Sequence, residues 1–261
     1  MEPTGEGVDV TGDKVVRAFS IRTILPNAVT LFAFMAGLTA IRFALAGKWE
    51  LSVFAVLLAG VFDGLDGTVA RLLKSTSRFG AELDSLSDVV AFGVAPAVVL
   101  YLWGLQSLDR LGWGVALIYA IAMALRLARF NARLDDEEEP RKRLGFLTGV
   151  PAPMGAALLL VPLMVDFAVE DVIVQSYPAL IIIYTVAIAL LIVSTIPTIS
   201  LKAIRIRREW FVPVMLIIGV VIAGLFVRTW LVLLVIAALY MASMPWTLMA
   251  YEKRRKQKGL D

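Results

Sequence analysis

The chain contains no cysteine and no histidine among its 261 residues. Without cysteine there is no disulfide framework, thiol nucleophile or thiolate metal site. Without histidine, the commonest general base and metal ligand are missing. Charge is scarce as well: Asp, Glu, Lys and Arg make up 18% of residues, against roughly 25% in a soluble domain. Apolar residues account for 59% and mean hydropathy is +0.82. This composition excludes a disordered chain, a nucleic-acid-binding tail and a water-soluble enzyme. It is the composition of a polytopic membrane protein. Any chemistry must run on carboxylates, lysine, arginine, hydroxyls and bound metal.

A bilayer core about 30 Å thick needs about 20 mostly apolar residues per helix. That window gives eight candidate spans, at 25–46, 50–73, 84–105, 112–132, 149–167, 178–198, 210–227 and 230–250. The expected fold is therefore all-α, a membrane helical bundle of about eight transmembrane helices. The first apolar run follows a polar stretch and lacks a small-residue cleavage signature, unlike a signal peptide. Residues 13–24 place Val15, Val16, Phe19 and Ile24 at helical spacing between basic residues, as in a short interfacial helix. Of the 25 basic residues, Arg42, Lys48, Arg110 and Arg228 are the four that fall in connections on one side of these spans. The bias predicts that both termini face the cytoplasm, in the cell (inner) membrane. The polar loop 134–145 reads as a solvated topology determinant, with no second folded domain.

Against that apolar background, Asp63, Asp66, Asp84 and Asp88 lie inside or at the ends of the second and third spans. Four aspartates in apolar helices could cost on the order of 10 kcal/mol before compensation. Folding alone gives no reason for them. The first two are three residues apart and the last two four apart, so each pair shares a helix face. The turn between the helices holds the two faces together. Oxygen-only ligation favours a hard divalent ion, Mg²⁺ or Mn²⁺, and room for two. Gly67 and Gly80 beside the pairs either let a ligand approach the backbone or serve close helix packing. Arg71 is placed to meet an anionic ligand or to neutralise the carboxylates. The same aspartates could alternatively line a cation path, which makes a transporter a distant rival.

The run Asp63-x2-Asp66-Gly67-x2-Ala70-Arg71-x8-Gly80-x3-Asp84-x3-Asp88 resembles, without a departure, the signature of the CDP-alcohol phosphotransferases. The resemblance implies metal ligation by Asp63, Asp66, Asp84 and Asp88, with Asp88 also the catalytic base, two ions, a CDP-linked lipid substrate and release of CMP. It also implies a homodimer and a six-helix core. On that basis the chain divides into an N-terminal segment 1–24, a core 25–202, two additional spans in 203–250 and a basic tail 251–261. The chemistry agrees with the residues. Metal neutralises the pyrophosphate oxygens that would repel a nucleophile, and a carboxylate is the one plausible base in a chain without histidine.

The flanking segments resemble the phosphatidylserine synthase branch of that family: Leu25-Pro26-Asn27 with Thr30, SDVVAFGVAPA from Ser87, RLARFN at Arg126 to Asn131, GVPAP at 149–153 and VSTIPTISLK at 193–202. This implies transfer of a phosphatidyl group from CDP-diacylglycerol to L-serine, with membrane lipids as the surroundings and no nucleic acid as partner. Sister enzymes acting on glycerol 3-phosphate or an inositol phosphate are the nearest alternative. Asn27, Asp66, Gly67, Arg71, Ser77 and Gly80 are the expected CDP-lipid contacts. Asn27 could equally be a helix-start residue, and Ser77 a plain loop serine. Serine is a zwitterion whose carboxylate calls for a cation near the metals, so Arg126, Arg129 and Lys202 are the acceptor-site candidates, joined by Asn131, which could hydrogen-bond the acceptor or equally cap its helix. The same basic residues also serve as positive-inside anchors. Pro151, Pro153, Pro162 and Pro197 are expected to kink helices and leave room for a lipid groove.

Overall fold

The computed structural model describes residues 21–73, 77–132, 146–169, 173–199 and 208–257. The chain there is helical apart from one small ribbon. Helices α1 (Ile21–Leu45) and α2 (Trp49–Leu72) form a hairpin turned at Gly47. α3 (Arg78–Asp88) runs through a π-helical segment, Val89–Val94, into α4 (Ala95–Leu100) and a second π segment, Tyr101–Leu105. A 3₁₀ turn and Asp109, at φ 46, then reverse the chain into α5 (Asp109–Ala132). Next come α6 (Ala152–Leu159), α7 (Val161–Ala168), α8 (Pro178–Val193), α9 (Phe211–Val227) and α10 (Thr229–Gln257). Four helical runs among the described residues are long and apolar enough to cross a bilayer: Ile24–Leu45, Trp49–Val69, Arg78–Ala132 and Thr229–Met249. The 55-residue run Arg78–Ala132 folds back on itself, so α5 packs along α4 and both π segments. α8 and α9 are apolar but shorter. The expected interfacial segment lies outside the described residues up to position 20, and Ile21–Ile24 form the start of α1.

Small residues bring the first hairpin together. Ala33, Ala36, Ala40 and Ala44 recur every third or fourth position of α1 and are buried against Ser52, Val53, Val56 and Ala59 of α2. Such stripes let backbones approach where lipid supplies no hydrophobic drive. The Ser52 hydroxyl closes the contact by donating to the Ala40 carbonyl at 2.7 Å. On the next face of α1, a Cβ on Gly37 would meet the Ala91 Cα at 2.7 Å, so glycine lets the π segment lie directly on α1.

Two prolines interrupt helices, and each interruption is repaired in the same way. Pro96 has no N–H for the carbonyl of Phe92, four residues before it. The hydroxyl of Tyr119, which is fully buried on α5, donates to that carbonyl at 3.0 Å. Pro162 sits in the first turn of α7, after the break at Leu160, and the Leu158 carbonyl accepts from the Tyr184 hydroxyl at 2.6 Å.

The other expected kinks do not form. Pro151 caps α6 and Pro153 sits in its first turn, where a missing N–H costs nothing. Pro197 begins the second strand of an antiparallel ribbon, β1 (Phe146–Thr148) with β2 (Pro197–Ile199). The fifth and sixth spans are correspondingly shorter than expected. Residues 149–151 are not helical, with a bend at Gly149 (φ 79), and α8 ends at Val193, ahead of Pro197, because the residue before a proline disfavours helix. The last helix is tied to the core by Trp230. Its indole donates to Glu50 Oε1 at 3.1 Å, and its ring packs between Phe54 and Phe167 at centroid distances of 4.9 and 4.8 Å.

Candidate active site

α2 delivers Asp63 and Asp66, and α3 delivers Asp84 and Asp88, where both helices pack on α1. One carboxylate oxygen from each of Asp63, Asp66 and Asp84 falls within 4.8 Å of the other two. Asp88 lies close enough to Asp63 and Asp84 for their charges to interact, as Asp84 does to Asp66 and Asp63. All four aspartates thus form one electrostatic cluster across two helices. Oxygens on opposite sides of an octahedral Mg²⁺ are about 4.2 Å apart, given Mg–O near 2.1 Å. Small rotations of Asp63 and Asp84 would therefore bring the three onto one ion. The donor set suits such an ion in a second respect: Asp84 Oδ1 is buried without a hydrogen-bond partner. A buried acceptor left this way is costly unless a cation meets it.

The two glycines separate into different roles. A Cβ on Gly80 would meet Asn27 Oδ1 at 2.8 Å and Ser77 Oγ at 3.1 Å, so this glycine serves the approach of α3 to α1. Gly67 is exposed with nothing within 4 Å of its Cβ position, which leaves its backbone open to a ligand. Ser77 is the N-cap of α3, its hydroxyl accepting from the Gly80 N–H at 3.0 Å. That bond satisfies one of the orphan donors of the first turn. Asn27, Ser77 and Gly80 therefore meet at a single point beside the aspartates. Arg71 is exposed one turn beyond Asp66, and its guanidinium donates to Thr68 Oγ1 at 3.4 Å.

Among the described acceptor candidates, Arg126 stands within electrostatic reach of the carboxylates. Its Nε donates to the Val150 carbonyl and its charge interacts with Asp88 and Asp63. Arg129 donates to the Val193 carbonyl at 2.7 Å and the Ser194 carbonyl at 3.4 Å, at the C-terminal end of α8. Cations are favoured at that pole of a helix. Asn131 Nδ2 donates to Ser85 Oγ at 2.7 Å, joining the end of α5 to α3. Lys202 lies outside the described residues.

Sequence reasoning passed over Thr30 and Ser87 as site residues. Thr30 Oγ1 donates to Asp66 Oδ2 at 2.8 Å, and Ser87 Oγ donates to the Thr30 carbonyl at 3.2 Å. The available signal was burial of hydroxyls in apolar helices, but nothing in a linear chain pairs position 30 with position 66.

The family model described as CDP-alcohol phosphatidyltransferase matches residues 23–221. A second, described as CDP-alcohol phosphatidyltransferase 2, matches residues 209–245. The chain is similar to the CDP-diacylglycerol–serine O-phosphatidyltransferase of Mycobacterium bovis, with 37% identity over 228 residues, 85% of this chain and 77% of that protein. It is 31% identical over 218 residues to the protein of that name from Helicobacter pylori, covering 84% of this chain and 88% of the other. To that of Methanocaldococcus jannaschii it is 38% identical over 189 residues, covering 66% and 85%. With its aspartates gathered across α2 and α3 and a family match over most of its length, this chain belongs to the CDP-alcohol phosphatidyltransferase family.

Proposed function

We propose that this chain transfers the phosphatidyl group of CDP-diacylglycerol to the hydroxyl of L-serine, forming phosphatidylserine and CMP. The observation that carries the reading is the convergence of Asp63, Asp66 and Asp84, with Asp88 on Asp63, in a chain whose relatives bear the name of that reaction. Asp63, Asp66, Asp84 and Asp88 would hold two divalent ions, Mg²⁺ or Mn²⁺, which when bound neutralise the diphosphate and its leaving group. Arg71 meets a phosphate oxygen as a planar donor. Asn27, Ser77 and the backbone at Gly67 and Gly80 shape the nucleotide side of the pocket.

In the reaction, the serine hydroxyl oxygen bonds to the phosphorus that carries the diacylglycerol. The bond from that phosphorus to the CMP oxygen breaks. The hydroxyl proton passes to Asp88, and the electron pair leaves on the CMP phosphate. Arg126, in electrostatic reach of Asp88, holds the serine carboxylate so that the hydroxyl lies beside its base. Arg129 and Asn131, each bonded to protein groups, fix the floor of this pocket. Lys202 is a further cation proposed for the serine carboxylate.

The same reading makes the protein an eight-span enzyme of the cell membrane. Its termini and aspartates lie on the cytoplasmic side, its core is 25–202, and it functions as a homodimer. The deciding experiment is an acceptor panel on purified protein with CDP-diacylglycerol and titrated Mg²⁺ or Mn²⁺. CMP release is expected with serine and absent without metal. Release with glycerol 3-phosphate or an inositol phosphate, and none with serine, would transfer the chain to a sister activity. Metal flux into liposomes without nucleotide consumption would overturn the enzyme reading.

A further inference from the structure

We infer that Thr30 is a positioning residue for Asp66, fixing the angle at which that carboxylate meets its ion and tying both metal-bearing helices to α1. The inference rests on the reading of the aspartates as metal ligands. Thr30, Asp66 and Ser87 are 4%, 6% and 2% exposed, so water does not compete for their bonds. The Thr30 hydroxyl has one proton and two acceptors in reach: Asp66 Oδ2 at 2.8 Å and the Pro26 carbonyl, one turn back, at 3.2 Å. A bond to a charged acceptor is shorter and stronger than one to a neutral carbonyl, and here the shorter contact is the carboxylate.

With Oδ2 held, Asp66 cannot rotate freely about its last torsion, and its ligand geometry is set before any ion arrives. Groups that orient metal ligands in this way are worth 10–100-fold in affinity. The carbonyl of the same residue accepts from Ser87, one position before Asp88. One threonine therefore sets the α2 carboxylate directly and anchors α3 beside its own. The ordinary alternative is a threonine that merely bonds back to the carbonyl four residues earlier, as is common in membrane helices.

The test measures binding of Mn²⁺ alone to the full-length protein in detergent, by the loss of the free-ion electron paramagnetic resonance signal. Thr30→Val keeps the shape and removes the hydroxyl, and should raise the dissociation constant 10–100-fold. Thr30→Ser restores the hydroxyl and should stay within a few-fold of wild type. If Thr30→Val does not give monodisperse protein, Thr30→Ala carries the same expectation. Wild-type protein that fails to bind Mn²⁺ would remove the metal reading itself. Wild-type protein that binds while Thr30→Val binds equally well would overturn the Thr30 inference alone. An equal loss in Thr30→Val and Thr30→Ser would also overturn it, because the hydroxyl would not be the agent.

Discussion

Replacing Tyr119 with Phe removes one oxygen from the centre of the protein and nothing else. Tyr119 is fully buried, and its hydroxyl donates at 3.0 Å to the Phe92 carbonyl, the group that Pro96 cannot serve. Leaving a buried carbonyl unmet costs about 1–3 kcal/mol, while interhelical hydrogen bonds in membrane proteins average about 0.6 and reach about 1.7. The two ranges overlap at about 1–2 kcal/mol, a factor of roughly 5–30 in the folding equilibrium. A double-mutant cycle isolates the repair from ordinary packing. Pro96→Ala supplies an N–H four residues after Phe92, so in that background Tyr119→Phe should lose less than about 0.5 kcal/mol. The assay is reversible unfolding in mixed detergent and dodecyl sulfate micelles, followed by circular dichroism. An equal cost of Tyr119→Phe in both backgrounds would refute the reasoning, since the hydroxyl would then be serving something other than the proline's missing donor.

Three further outcomes follow from the geometry. Asp88→Asn keeps the shape but cannot accept the serine proton, and should abolish CMP release while CDP-diacylglycerol still binds by calorimetry; undiminished turnover would exclude Asp88 as the base. Gly80→Ala places a methyl group 2.8 Å from Asn27 Oδ1 and 3.1 Å from Ser77 Oγ. It should raise the KM for CDP-diacylglycerol several-fold with little change in the serine KM, and adding Asn27→Ala should bring little further loss. Tyr184→Phe removes the donor to the Leu158 carbonyl and should cost about 1 kcal/mol in the same unfolding assay with serine KM unmoved; an altered serine KM would place Tyr184 in the acceptor pocket.

Much of the molecule could be read from local pattern. Length and apolarity mark helices, and helix is found in each expected window, with four runs among the described residues long and apolar enough to cross a bilayer. Spacing of three and four puts each aspartate pair on one helix face. What escaped was set by contacts distant in the chain. The ribbon of Phe146–Thr148 with Pro197–Ile199 pairs residues about fifty positions apart, and three-residue strands have no periodicity to betray them. Gly80 was open to two readings because the sequence does not say that Asn27 stands 2.8 Å from its missing Cβ. Thr30 was visible as part of a family pattern but not as a partner of Asp66. The prolines misled in one direction: Pro153 at a helix start is harmless, whereas Pro162 within a span breaks it.

The four aspartates do not stand at equal depth, and this predicts what Arg126 does for the fold. At 1.5 Å rise per residue, Asp66 and Asp84 lie six residues, about 9 Å, from the nearer helix ends at Leu72 and Arg78. Asp63 and Asp88 lie nine and ten residues from those ends, or about 13 and 15 Å. The pair farther along the helices from those ends is the one that Arg126 faces, and charge inside an apolar helix is costly without a partner. Threonine and the open side at Gly67 serve the shallow pair; a guanidinium serves the deep one. Removing a single partner of a buried charge pair costs about 3–5 kcal/mol, and Arg126 is half-buried, so Arg126→Met should cost rather less, about 1–3 kcal/mol. Asp88→Asn removes one of the charges it balances, and in that background the cost of Arg126→Met should fall by at least half. Unfolding measured without added metal reads this directly. If Arg126→Met costs the same with Asp88 or Asn at position 88, the arginine is not holding the deep carboxylates, and its place beside them serves substrate alone.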